Sequence, residues 1–268
     1  MSRIITAAIV LPILIASILV SWLAPLFVAL AVAAMLLGLY EFWMLARRRE
    51  MKPDVVTGFA AAAAILTAFY FDERALLLII LPAFVIIALS AEMLRGAPFE
   101  RMMASAGATV LGVLYVVLLG GHLIAVRTGF RQELSADLLA FFFLVIMCSD
   151  TGAYYTGRAF GRHKLAASVS PGKTWEGAFG GMAASLAAAA IAHYWFFPGL
   201  PLKVALPLAA LMNVLGVIGD LTESALKRGA GAKDAAQILP GHGGLLDRLD
   251  SLLFNAPVIY YFGRLYFQ

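Results

Sequence analysis

The stretch "DLLAFFFLVIMCSDTGAYYTGR", residues 137–158, sets the class of this chain. Every residue from Leu138 to Cys148 is apolar. A helix needs about 20 mostly apolar residues to cross the hydrocarbon core of a bilayer, and 137–157 supplies them. Near the far end of that run stands Asp150. A carboxylate held at the end of a span is costly, so an acid kept there reads as functional. A structural pairing with a neighbouring arginine is the competing reading.

The rest of the chain is equally oily. Of 268 residues 62% are hydrophobic and only 13% charged, with a mean hydropathy of +0.90. An ordinary soluble domain carries about 25% charged residues, so there is too little polar surface here to cover a soluble globule. Further apolar runs lie at 4–20, 24–45, 55–71, 74–90, 105–126, 175–197, 204–221 and 245–264, with a tight "FDER" turn between the third and fourth spans. Strand-like alternation does not recur at barrel spacing, which leaves helices. The expected fold is an all-α integral membrane protein, a polytopic bundle of about nine transmembrane helices with a polar active-site cavity facing the cytoplasm. Residues 1–136 form an N-terminal set of helices and 137–264 a catalytic region. Arg3 and the apolar run after it resemble a signal peptide but lack a small-residue cleavage site, so they read as a retained first span. The final "LYFQ", 265–268, matches the tail of an engineered protease site and is read as a remnant of one. The single cysteine, Cys148, excludes an internal disulfide framework.

With the N-terminus in the cytoplasm, fifteen of the twenty lysines and arginines fall on inside segments and five outside, which the positive-inside rule favours. The run "ARRRE" at 46–50 reads as a topology signal. Two inside segments differ from the others by mixing both signs: 148–181 and 219–251. Topology alone requires no acids there. Asp220, Glu223, Ser224 and Lys227 are spaced to share one helix face, as are Asp247 and Asp250. Asp220 ends one span and Asp247 begins the next, so the two can meet at the membrane edge. Carboxylates brought together repel unless a cation or proton separates them. Oxygen donors without a Cys/His cluster suit magnesium rather than zinc.

Lys227, Arg228, Lys233 and Arg248 stand around those acids, the composition a polyphosphate requires. "PGHGG", 240–244, offers bends and bare amides to an anion. Lys173 of "SPGKTW" precedes a helix start near Thr174, where phosphate binds well. Each feature has a blander reading. Asp247, Arg248 and Asp250 could be a surface ion-pair cluster, His242 a turn residue, Tyr154, Tyr155 and Trp175 interfacial aromatics, and Glu41 an interfacial or paired acid. Their clustering favours an enzyme.

The segment 224–250 is similar to the signature of the phosphatidate cytidylyltransferases. The pattern S-x-x-K-R, K-D, P-x-H-G-G-x-x-D-R-x-D is met by Ser224, Lys227, Arg228, Lys233, Asp234, Pro240, His242, Gly243, Gly244, Asp247, Arg248 and Asp250. Upstream, "D-x-x-A-Y-x-x-G-R-x-F-G" begins at Asp150, and "S-P-x-K-T-x-E-G" runs from Ser170 through Lys173 and Glu176 to Gly177. The resemblance covers roughly 145–255 in detail. It implies transfer of the cytidylyl group of CTP to phosphatidic acid with magnesium, a second, monovalent cation such as K+, and a homodimer. It also implies an inner-membrane location within the lipid bilayer and no nucleic-acid partner. On that reading Asp220 and Asp247 hold magnesium with Asp250 in support, and Lys227, Arg228, Lys233 and Lys173 neutralise the triphosphate. Asp150, Ser170, Glu223, Ser224, Asp234, His242, Gly243, Gly244 and Arg248 complete the substrate site. A CTP-dependent polyprenol or lipid kinase is the nearest alternative, and a cation-coupled transporter a more distant one.

The orientation is directly testable. Cysteines placed at Ala166 and Ala235 should resist an impermeant thiol reagent added to intact cells and react after lysis. Ready labelling of both from outside reverses the topology.

Overall fold

The computed structural model of the chain describes residues 2–97, 99–232 and 244–268. Lys233, Asp234, His242 and Gly243 lie outside the described residues. The fold is a succession of helices running back and forth: α1 (Ser2–Leu19), α2 (Ala24–Arg47), α3 (Val55–Tyr70) and α4 (Arg74–Leu94). Next come α5 (Met102–Gly112), a π-helical segment (Val113–Leu118) and α6 (Leu119–Thr128). The series closes with α7 (Gln132–Phe160), α8 (Trp175–Trp195), α9 (Leu202–Gly229) and α10 (Leu246–Phe267). Among the described residues, five helical stretches are long and apolar enough to cross a membrane: Ser21–Arg47, Arg74–Leu94, Phe99–Thr128, Gln132–Phe160 and Leu202–Gly229. The chain is thus a largely helical, multi-pass membrane protein.

Against the expectation of nine spans, five stretches among the described residues meet the length and apolarity needed, and for three of the other four the reason is local. α3 is apolar but only 16 residues long. α8 is diluted by its glycines and by Glu176, His193, Tyr194 and Trp195, and α10 carries Asp247, Arg248, Asp250 and Arg264 along its length. A second difference is a short antiparallel hairpin, β1 (Lys164–Ala166) with β2 (Ser170–Thr174), in register Lys164↔Thr174. It stands between α7 and α8 in an otherwise all-α chain.

Two helix starts carry side-chain caps. Asp54 caps α3, its Oδ1 accepting from the amides of Val56 (3.2 Å) and Thr57 (3.3 Å). Thr174 caps α8 as its sequence position suggested, accepting from Gly177 N–H at 3.1 Å. Such caps satisfy amides that have no partner within the helix. Asp72 takes a left-handed φ of 55° in the turn between α3 and α4, a conformation that Asp tolerates better than most residues.

The core lies among α2, α3, the π-segment, α6, α7 and α10, with Trp43, Phe141, Phe142 and Tyr260 fully buried. Lipid tails are as apolar as leucine, so membrane helices gain little from the hydrophobic effect when they meet and depend on close contact between small residues. α7 and α8 meet in this way. A Cβ on Gly152 would come within 2.5 Å of Ala184 Cβ and 2.8 Å of Gly180 O. α9 and α10 cross as closely: a Cβ on Gly219 would lie 2.5 Å from the carbonyl oxygen of Asp250. Between α7 and α9, buried Asn213 Nδ2 donates to Ser149 Oγ at 2.6 Å.

The α9–α10 crossing predicts an asymmetry between neighbouring glycines. Gly219→Ala forces the two backbones apart and should cost about 1–3 kcal/mol, as overpacking does. At Gly216 an added Cβ meets side chains at 3.5 and 3.6 Å, ordinary contact, so Gly216→Ala should be nearly silent. Thermal unfolding in detergent compares the two directly.

Candidate active site

The C-terminal ends of α7 and α9, the N-terminal ends of α8 and α10 and the hairpin all gather at one end of the bundle. A cavity of about 370 Å³ opens there. Its wall carries Asp150, Tyr154 and Arg158 from α7, Lys173 and Thr174 from β2, Gly177 from α8 and Asp220 from α9. Lys173 Nζ forms an ion pair with Asp220 Oδ2. The other oxygen of Asp220 accepts from Ser224 Oγ at 3.4 Å, one helical turn on, as their spacing required. Asp150, Asp220 and Asp250 lie within electrostatic reach of one another and of Lys173. Three carboxylates around one lysine leave an excess of negative charge, which draws a cation.

A second polar cluster lies beside the first. Lys227 Nζ stands 2.5 Å from Glu223 Oε2 and 2.6 Å from Asp247 Oδ1. Glu223 is wholly buried, and the side chains of Lys227 and Asp247 are 14% and 18% exposed. Asp247 Oδ2 accepts from the amide of Gly244 at 3.0 Å. The Gly244 amide thus joins the residue before the α10 N-cap to the first turn of that helix. Above it, Glu41 Oε2 of α2 accepts from the amide of Leu246 at 2.7 Å.

The hairpin is tied down from both sides. Glu176, in the first turn of α8, accepts from the amides of Arg162 (3.1 Å) and His163 (3.2 Å) and contacts His163 Nδ1 at 2.6 Å. From α9, Arg228 Nε donates to Val169 O at 3.4 Å, and Arg228 Nη1 to Ala232 O at 3.5 Å. These contacts hold β2, and with it Ser170 and Lys173, over the cavity. Arg228 thus braces the hairpin beside the cavity. Arg248 is exposed on α10.

Asp220 pairs with Lys173, and Asp247 with Lys227. The acid that the helix crossing sets against Asp220 is Asp250. Among the described residues, no group of three or more His, Cys, Asp or Glu side chains is arranged to hold a metal ion. The donor chemistry nevertheless suits magnesium, since these acids offer oxygens only.

Three residues of the site escaped the sequence reading. Tyr154, read as an interfacial aromatic, lines the cavity and accepts from Arg158 Nη1 at 3.1 Å. Tyr115 sits on the π-segment with a buried hydroxyl that has no partner among the described residues, within electrostatic reach of Asp250, Glu223 and Asp220. Glu41 is fully buried. Its signal was present in the sequence, an acid inside an apolar run.

The Glu223–Lys227–Asp247 cluster makes a stability prediction. Removing one partner of a buried ion pair costs about 3–5 kcal/mol, because the remaining charge is left without compensation. Lys227→Met should destabilise strongly, and adding Glu223→Gln should recover much of the loss. A double-mutant cycle by thermal unfolding measures that coupling; additive effects would mean that the two side chains do not interact.

Comparison with known proteins identifies the family of the chain. The phosphatidate cytidylyltransferase of Haemophilus influenzae is 44% identical over 129 residues, 47% of this chain and 45% of that protein. That of Brucella suis is 45% identical over 132 residues, 48% of this chain and 47% of its own. That of Pseudomonas aeruginosa is 43% identical over 129 residues, 48% of each chain. The matches thus span less than half of each relative. The family model described as the cytidylyltransferase family matches residues 1–266, nearly the whole length, and the chain belongs to that family.

Proposed function

We propose that the protein transfers the cytidylyl group of CTP to phosphatidic acid, giving CDP-diacylglycerol and pyrophosphate. The observation that carries this reading is the cavity in which Lys173 and Arg158 face Asp150 and Asp220 at the end of a membrane helix bundle. It joins cations for a triphosphate to carboxylates for a metal at the place where a lipid headgroup meets water. The names of the bacterial relatives support the same reaction.

An oxygen of the lipid phosphate attacks the α-phosphorus of CTP in line. A new P–O–P bond forms, the bond from the α-phosphorus to the bridging oxygen breaks, and pyrophosphate leaves. The attacking phosphate is already ionised at neutral pH, so no strong general base is required. The protein positions the two substrates and stabilises charge. Lys173 and Lys227 are the cations best placed to meet the triphosphate. Each is held by acids in the absence of nucleotide, so CTP would compete for them. Magnesium, when bound, would neutralise phosphate oxygens. Asp220 is the residue that would hold it, with Asp250 and Asp150 in reach and Asp247 on the neighbouring turn of α10. A second, monovalent cation and a homodimer rest on the family resemblance alone.

The charge distribution supports a cytoplasmic face for this end of the bundle, where CTP is available, and an inner-membrane location. The helices that fall short of an independent span would then cross in the company of the five that do not.

Purified protein with labelled CTP, phosphatidic acid and magnesium should release labelled CDP-diacylglycerol and pyrophosphate. Asp220→Asn should abolish most of that turnover while leaving the protein folded. Release of CDP with a phosphorylated lipid would instead identify a kinase.

A further inference from the structure

Glu41 lies on α2, far in sequence from the acids of the site. Its side chain is fully buried, and Oε2 accepts from the amide of Leu246 at 2.7 Å across a separation of 205 residues. Leu246 is the first residue of α10. Amides in the first turn of a helix have no partner within it, and a negative side chain at that end is favoured by the helix dipole. The position is usually filled by a Ser, Thr, Asn or Asp immediately before the helix. Here Leu245 occupies it and makes no side-chain cap. The cap comes instead from another helix.

That substitution has a consequence for the site. The first turn of α10 carries Asp247, whose two oxygens meet Lys227 and the amide of Gly244, and one turn on it carries Asp250 against Gly219. α2 is one of the long apolar helices, and its neighbours Leu39, Phe42 and Trp43 are buried in the core. Glu41 therefore ties the start of α10 to the rigid part of the bundle. The other oxygen, Oε1, is buried without a partner among the described residues. Burying a carboxylate with one oxygen unpartnered is a poor device for stability, which points to position as its purpose.

We propose that Glu41 is a positioning residue: by holding the Leu246 amide it sets the register of the α10 first turn, and so the places of Asp247 and Asp250 opposite Lys227 and Asp220. This rests on the proposed cytidylyl transfer only for its effect on rate; the structural link stands apart from it.

The test uses the full-length protein in nanodiscs with two variants. Glu41→Gln keeps an oxygen able to accept the Leu246 amide, and Glu41→Ala removes it. Hydrogen exchange is followed on peptides covering 244–250, with peptides from α7 and α8 as internal reference. In Glu41→Ala, exchange at 244–250 should rise about ten- to a hundredfold, the range of one charge-assisted hydrogen bond, with the reference peptides unchanged. In Glu41→Gln, which keeps the acceptor but not the charge, the rise should be clearly smaller than in Glu41→Ala. In the enzymatic assay, kcat of Glu41→Ala should fall and the magnesium requirement rise, with KM for phosphatidic acid little altered and with rescue in Glu41→Gln. Unchanged exchange at 244–250 in Glu41→Ala overturns the proposal, and so does a rise spread evenly over all peptides, which marks a general loss of fold. Wild-type protein that makes no CDP-diacylglycerol would defeat the functional reading, while the exchange result would still decide the role of Glu41.

Discussion

The site depends on one close crossing. α9 and α10 run antiparallel and touch backbone to backbone where Gly219 meets the carbonyl of Asp250. From that point the register of both helices assigns the partners. Asp220 is the next residue along α9, and it faces the region of Asp250. One turn further, Glu223 comes level with Asp247, one turn earlier on α10. Lys227 lies another turn on, and long helical side chains lean toward the N-terminus of their helix, which brings its amine back between Glu223 and Asp247. A side chain at position 219 would separate the backbones and disperse both clusters together.

The charges assembled in this way are expensive. Removing a carboxylate from water is costly unless a partner compensates it. The described acids answer this with lysines: Lys173 for Asp220, Lys227 for Glu223 and Asp247. Such pairs are weak evidence for stability, since apolar residues of similar volume would often serve as well. They are better suited to exchange. On the proposed reaction a polyphosphate would draw the lysines, and a divalent cation would take the carboxylates they release. The excess of acid over base in the cluster of Asp150, Asp220 and Asp250 favours that exchange.

The hairpin between α7 and α8 completes the cavity by contributing Lys173 from outside the helix bundle. It is short, and two strands alone have little stability of their own. The structure compensates with side chains from both flanking helices, Glu176 at the head of α8 and Arg228 near the end of α9. Behind it, glycines let α7 and α8 approach closely enough to leave a narrow wedge in which the cavity sits.

The sequence by itself determined the class of the protein and gathered its charged residues into two segments. Apolar runs long enough to cross a bilayer leave few alternatives to helices, because backbone groups in hydrocarbon must bond within their own segment. Acids, lysines and glycines spaced by helical turns mark one functional end, and pairs within one helix such as Ser224 with Asp220 follow from spacing alone. What only the tertiary structure decided is which side chains meet across helices. Helical spacing orients a residue about its own axis but says nothing of the rotation or depth of the neighbouring helix, which is set by where small residues permit contact. The crossing at Gly219 sets Asp220 beside Asp250 and brings Asp247 to Lys227, pairings that spacing within one helix could not assign. For the same reason Glu41, separated from Leu246 by 205 residues, could be recognised in sequence as an acid in an oily run but not as the group that holds the start of α10.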